Sequence, residues 1–208
     1  MSQVIIAGDT SGTITLQAPA VSGSTVLTLP ATTATLATLT TPSFGTTIGV
    51  GGATASASGA GITFPATQSA SSNANTLDDY EEGTWTPTLT FGGGSTGMVL
   101  ASQKGNYTKV GNRVFITGYV ALSTKGSSTG NISILGLPFA SVNTSDMYNA
   151  TAIWAATLTS VSGSLMAYNP PNTTSFNMHY LGTGTTTNVT HANCNNNSDF
   201  MINFSYSI

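Results

Sequence analysis

The sequence predicts an all-β protein: an elongated, trimeric, β-rich stalk followed by a C-terminal antiparallel β-sandwich head of jelly-roll type. Three observations carry this. Short runs of alternating β-branched and polar residues recur along the chain, closed by Gly, Ser, Asn or Pro turn signals. No segment sustains the apolar period of a capped helix. The composition also changes abruptly: residues 10–77 contain no charged side chain, whereas four of the seven acidic residues fall within 78–82 and all four basic residues follow. The 208 residues therefore divide into a docking segment over 1–39, a shaft or linker over 40–77 and a head over 78–208.

In the first segment, Val4-Ile5-Ile6-Ala7 stops at Gly8-Asp9. Ser11-Gly12 leads into Thr13-Ile14-Thr15-Leu16, and Ser22-Gly23 leads into Thr25-Val26-Leu27-Thr28-Leu29, which ends at Pro30. Thr35-Leu36-Ala37 is a weaker copy. One hairpin of this size has too little apolar area to stand alone. Threefold association lets Ile14, Leu16, Leu27 and Leu29 meet across an axis, and these four are the candidate docking residues.

Residues 40–77 are rich in Gly, Ser, Thr and Ala. Gly49-Val50-Gly51-Gly52 and Gly59-Ala60-Gly61 cannot hold a core. They suit a flexible linker or a tight shaft that admits only small side chains. The segment has neither heptads nor a Gly-X-Y period, which excludes a coiled coil and a collagen stalk. Ile62 and Phe64 alternate with Thr63 as a short strand. In the head, strands are expected over 84–91, 113–122, 131–137, 150–158, 164–168, 174–181 and 200–208.

Charged residues make up 5% of the chain and the net charge is −3. A typical soluble domain carries about 25% charged residues, and a charge-poor surface is poorly protected against association. This predicts a surface covered by partner chains, hence a homotrimer. Four basic residues are too few for a nucleic-acid footprint. No run of eighteen apolar residues would cross a membrane as a helix. Met1-Ser2-Gln3-Val4 lacks the basic segment and apolar core of a secretory signal. The single cysteine, Cys194, forms no intrachain disulfide.

Gly61-Ile62-Thr63-Phe64-Pro65-Ala66-Thr67-Gln68, followed by Ala74-Asn75-Thr76-Leu77-Asp78-Asp79-Tyr80-Glu81-Glu82-Gly83-Thr84-Trp85-Thr86-Pro87, resembles the junction segment of bacteriophage fibre and other virion surface proteins. Asn106-Tyr107-Thr108-Lys109-Val110-Gly111-Asn112-Arg113-Val114 and Leu135-Gly136-Leu137-Pro138-Phe139 are similar to segments of the same head module, and residues 1–39 to the N-terminal segments of phage fibres. The resemblance implies an N-terminal part docked on another virion structural protein, a slender trimeric shaft and a sandwich head. It implies a non-enzymatic virion structural protein without cofactors: a homotrimeric tail fibre or spike that attaches to the host surface. Such a protein is assembled in the host bacterial cytoplasm, displayed on the particle and released by lysis without a secretory signal. Two alternatives stay open, a capsid decoration or head-fibre protein and a polysaccharide depolymerase. The chain is short for the latter.

Several residue groups are candidates for chemistry. Asp78, Asp79, Glu81 and Glu82, with Tyr80 and Trp85, mark the junction and a trimer contact. A glycosidase needs two acids at a fixed separation, and a calcium loop places acids at alternate positions around a Gly. The cluster fits neither. It reads as a solvated or shaft-capping acidic collar, with Lys104, Lys109 or Arg113 of a neighbouring chain as counter-charges. His179, His191 and Cys194 are the transition-metal candidates, but His191-x-x-Cys194 supplies only two of the four ligands that structural zinc takes. No metal is expected. For recognition, sugar sites combine an aromatic platform with amides and hydroxyls. Tyr148, Tyr168, His179 and Tyr180, with the amide loop at Asn195, Asn196 and Asn197, supply those ingredients for a host cell-surface polysaccharide. Trp154 sits inside an apolar run and is expected in the core, and the 193–197 run reads more readily as a plain exposed turn.

Overall fold

The computed structural model describes the strand backbones Gln3–Ala7 and Thr13–Gln17 and residues 47–208. The chain divides into two compact units, Met1–Phe44 and Gly45–Ile208. In the first, β1 (Gln3–Ala7) pairs antiparallel with β2 (Thr13–Gln17), with Val4 opposite Leu16 and Ile6 opposite Ile14. The expected residues Leu27 and Leu29 lie outside the described residues.

The second unit opens with a small parallel pair, β3 (Thr47–Gly49) beside β4 (Gly61–Thr63). Two larger antiparallel sheets follow and form the sandwich. One runs β10 (Asn149–Ala152), β12 (Ser164–Asn169), β13 (Ser175–Leu181), β9 (Ile132–Leu135), β6 (Thr88–Phe91), and β14 (Thr186–Asn188) also pairs with β13. The other runs β11 (Trp154–Ala156), β15 (Asp199–Ser207), β8 (Arg113–Thr124), β7 (Val99–Val110), β5 (Tyr80–Trp85). Strand alternation builds the core between them. Along β15, Phe200, Ile202, Phe204 and Tyr206 are buried while Met201 and Asn203 face out. They meet Leu89, Phe91, Ile132, Ile134, Phe176 and Met178 of the first sheet. Among the described residues no helix is long and apolar enough to cross a membrane.

Three expectations are corrected. The run 84–91 is two strands, because Pro87 has no N–H for a ladder and the chain changes sheet there. The run 150–158 likewise splits into β10 and β11 on opposite sheets. Buried Ile153 is the corner that enters the core, and this turns Trp154 outward. Trp154 is therefore not a core residue: it is 54% exposed, opposite Met201 on the outer face of β15. The long strand β7 carries polar residues and was not expected. It pairs with β8 through the two-residue turn Gly111-Asn112, where Gly111 has φ 55°.

Candidate functional site

The junction residues fold into a knot at one edge of the sandwich. From residue 79, every second side chain turns inward: Asp79, Glu81, Gly83, Trp85. An inward carboxylate must be paired. Lys109 of the same chain lies 2.5 Å from Asp79, with both side chains under a tenth exposed. The Lys109 ammonium also sits 5.0 Å from the centre of the Phe139 ring. Tyr107 meets Phe139 edge-on at 5.4 Å and donates its hydroxyl proton to Glu81, which pushes the phenol up to about 12. A Cβ on Gly83 would stand 2.6 Å from the Tyr107 ring, so the close approach requires glycine. The Trp85 indole crosses Gly105 and Gly118 and donates from Nε1 to the Thr117 carbonyl at 3.0 Å. The acidic stretch is thus not a uniformly solvated collar awaiting a neighbour's lysine. Within the chain, Asp79 of its inward half is paired with a lysine and Glu81 accepts a phenol hydrogen bond. Asp78 instead accepts from the Ser71 amide at 2.7 Å, and Glu82 accepts from the Tyr80 hydroxyl.

The aromatic candidates fall on the outer face of the other sheet. Ala167, Phe176, Met178 and Ile132 point into the core, so Tyr168, Asn177, His179 and Ser133 point out. The register places Tyr168 opposite Asn177, Asn177 opposite Ser133, and His179 opposite Asn188. Tyr148 packs on Tyr168 with ring centres 5.9 Å apart, and Tyr168 lies 5.2 Å from His179. Ser133 Oγ donates to Asn177 Oδ1 at 2.8 Å, which orients the amide. A hollow of about 290 Å³ opens beside these rings, with Asn131 and Asn188 on its rim and no charged side chain in its lining. Partial burial lowers the His179 pKa, so the ring is neutral at neutral pH and offers one donor and one acceptor. Ring faces with oriented amides and hydroxyls match the C–H faces and hydroxyls of a sugar.

The remaining candidates stand elsewhere. Tyr180 alternates to the inner side and packs against the core. Asn195 donates to the Thr157 carbonyl at 2.6 Å, Asn196 accepts from the Lys125 amide at 2.9 Å, and the Asn197 carbonyl accepts from Thr157 Oγ1 at 2.7 Å. That run is a tied loop, and none of its members lines the hollow. His191 Nδ1 accepts from the Gly130 amide at 3.0 Å, and burial pushes the Cys194 thiol up to about 11. Among the described residues no three His, Cys, Asp or Glu side chains come together as a metal site. Ser133, Asn177 and Asn188 were missed from the sequence because Asn, Ser and Thr are everywhere in it. The usable signal was the outward parity of Asn177 and His179 next to Tyr168.

No protein-family model matches the chain, and no curated protein matches it. Among solved structures the chain is similar to the crystal structure of the Dettilon tailspike protein (gp208), with a TM-score of 0.55 and 22% identity. The match covers 77% of this chain but 31% of the tailspike chain. The likeness is one of fold: an all-β chain with sheets packed as a sandwich.

Proposed function

We propose that the chain is a non-enzymatic bacteriophage virion structural protein, a homotrimeric tail fibre or spike whose head attaches to a saccharide of the host surface. The observation that carries this reading is the outward shelf of Tyr148, Tyr168 and His179 beside the oriented Asn177 amide. The fold likeness to a tailspike supports a tail position, and the junction resemblance supports a virion one. In this reading Asp79 and Glu81 serve the fold, engaged by Lys109 and Tyr107. Trimer formation is supported by 5% charge and by the exposed Trp154 and Met201 on one outer face. Residues 1–39 dock on another virion protein in this reading.

The test is binding of labelled full-length protein to purified bacterial surface polysaccharides. Tyr168→Ala should weaken it about tenfold, the loss of one stacking platform. Unchanged binding by that variant removes the shelf from the site. New reducing ends released during incubation would show hydrolysis and overturn the non-enzymatic half. A mass of one chain in native mass spectrometry would overturn the trimer. Particles that incorporate a protein lacking residues 1–39 at normal copy number would overturn the docking role.

A further inference from the structure

A second hollow, of about 430 Å³, lies on the far side of Tyr148. It forms where β10 leans onto the outer face of the other sheet, with Thr151 Oγ1 donating to the Asn203 carbonyl at 3.0 Å. Its apolar walls are Phe115, 50% exposed, and Tyr148, 59% exposed. Its one charge is Arg113. That guanidinium is held from behind by neutral groups: Nη1 donates to Ser207 Oγ at 3.1 Å, and Nη2 donates to Ser205 Oγ at 2.7 Å. Nη2 also lies 3.3 Å from the Ser205 carbonyl. Among the described residues no carboxylate pairs with it, and the ion pair present is Lys109 with Asp79. An oriented guanidinium has five donors in a fork that matches a carboxylate, so the bonds to the two serines leave donors for a ligand. The neighbouring amides Asn149 and Asn203 can take sugar hydroxyls. Tyr148 connects the two hollows, since its ring lines this one and packs on Tyr168, which lines the other.

We propose that the Arg113 hollow is a subsite for the carboxylate of an acidic saccharide, joined through Tyr148 to the uncharged shelf at Tyr168 and His179. The ligand is then a uronate-bearing polysaccharide: a neutral sugar stacks on the shelf and an acidic sugar reaches Arg113. This rests on the reading of the shelf as a glycan site.

The probe is a panel of purified uronate-containing bacterial polysaccharides, each as the native acid and after carboxyl reduction to the neutral hexose. Neutral polysaccharides and full-length protein complete the set. The native acid should bind about tenfold or more tighter than its reduced form. The preference should shrink when salt is raised to about 1 M, where screening reaches a few Å. Arg113→Gln should bind both forms alike, and Arg113→Lys should retain part of the preference. Arg113 also ties β8 to β15, so Ala150→Asp is the companion variant. It places a negative charge at the exposed rim without touching those bonds, and should lose the acid preference too. Equal binding of acid and reduced forms by the natural chain overturns the subsite, as does an acid preference that survives in Arg113→Gln and Ala150→Asp. Binding confined to neutral polysaccharides and lost in Tyr168→Ala overturns the subsite alone. No binding to any polysaccharide overturns both readings.

Discussion

At the junction, Trp85, Tyr107 and Phe139 lie in or against the core, and the Asp79–Lys109 pair sits at the Phe139 ring. On the shelf, Tyr148, Tyr168 and His179 stand in a row over a polar sheet face. The residue types overlap, aromatics with amides or acids, yet strand parity gives them opposite work. Inward parity at the junction gives Asp79, Glu81 and the Trp85 indole partners within the chain. Outward parity on the shelf leaves Tyr148 exposed, Tyr168 and His179 half-exposed, and the Asn177 amide oriented by Ser133. Bonds already made in the folded chain hold the fold, and faces left unmade are what a ligand can use.

The comparison breaks first at Trp85. Trp85→Ala removes a 6% exposed indole over two glycines and its bond to Thr117. The expected loss is about 3–5 kcal/mol in urea unfolding. A loss below about 1 kcal/mol would mean the knot is dispensable. Next, Lys109→Met leaves the Asp79 carboxylate buried without its counter-charge and should cost about 3 kcal/mol. The double variant Asp79→Leu with Lys109→Met should regain most of it, because the penalty belongs to the orphaned charge. A double variant as unstable as the single would show that packing, not pairing, dominates. Tyr206, whose hydroxyl donates to the Phe139 carbonyl at 3.0 Å, then tests the knot from the alkaline side. Burial pushes its phenol up to about 12, against an ordinary 10.0 in the unfolded chain. The folded state therefore keeps its proton longer. The stability this contributes is whole below pH 10 and is lost as pH rises through about 12. Tyr206→Phe should make that alkaline limb shallower, with the Tyr107 share left in place.

Much of this fold can be read from residue order. Strands at 113–122, 164–168, 174–181 and 200–208 announce themselves through alternation, and β8, β12, β13 and β15 stand there. What fails to show is set by tertiary neighbours. β7 reads as a polar loop because Gly105, an inward position, is filled by the Trp85 indole rather than by a side chain of its own. Trp154 reads as core because the sheet change at Ile153 reverses parity, which no local pattern displays. On the shelf the rings were legible and the amides were not. Asn195, Asn196 and Asn197 look more like a sugar loop than Asn177 does, but their bonds to Thr157 and Lys125 are long-range ties that only coordinates reveal.

The shelf should answer oppositely to the knot when truncated. Tyr168→Ala removes a half-buried ring from an outer face, so its stability cost should stay within about 1 kcal/mol. Saccharide binding should nevertheless fall. A cost of several kcal/mol measured by the same urea unfolding would make the shelf a structural element like the knot and remove the contrast.

The smallest effect belongs to His179, and its sign separates the two regions again. Burial holds its imidazole below the ordinary value of 6.5, which the unfolded chain retains. Between those two values the unfolded state binds more protons than the folded one, so stability rises with pH there. The ring imposes no penalty above 6.5, and stability erodes as pH falls from 6.5 through the folded value. The groups that face it are uncharged: Tyr168 across the sheet and Asn188 on β14. Desolvation alone therefore drives the shift, and salt should leave it in place. Unfolding measured from pH 7.5 down to 5 should show a shallow acid slope that His179→Gln reduces. The Tyr206→Phe variant should keep that slope unchanged, since its own limb lies at the alkaline end. An acid slope equally steep in His179→Gln would assign it to other groups and leave the shelf without a titrating member.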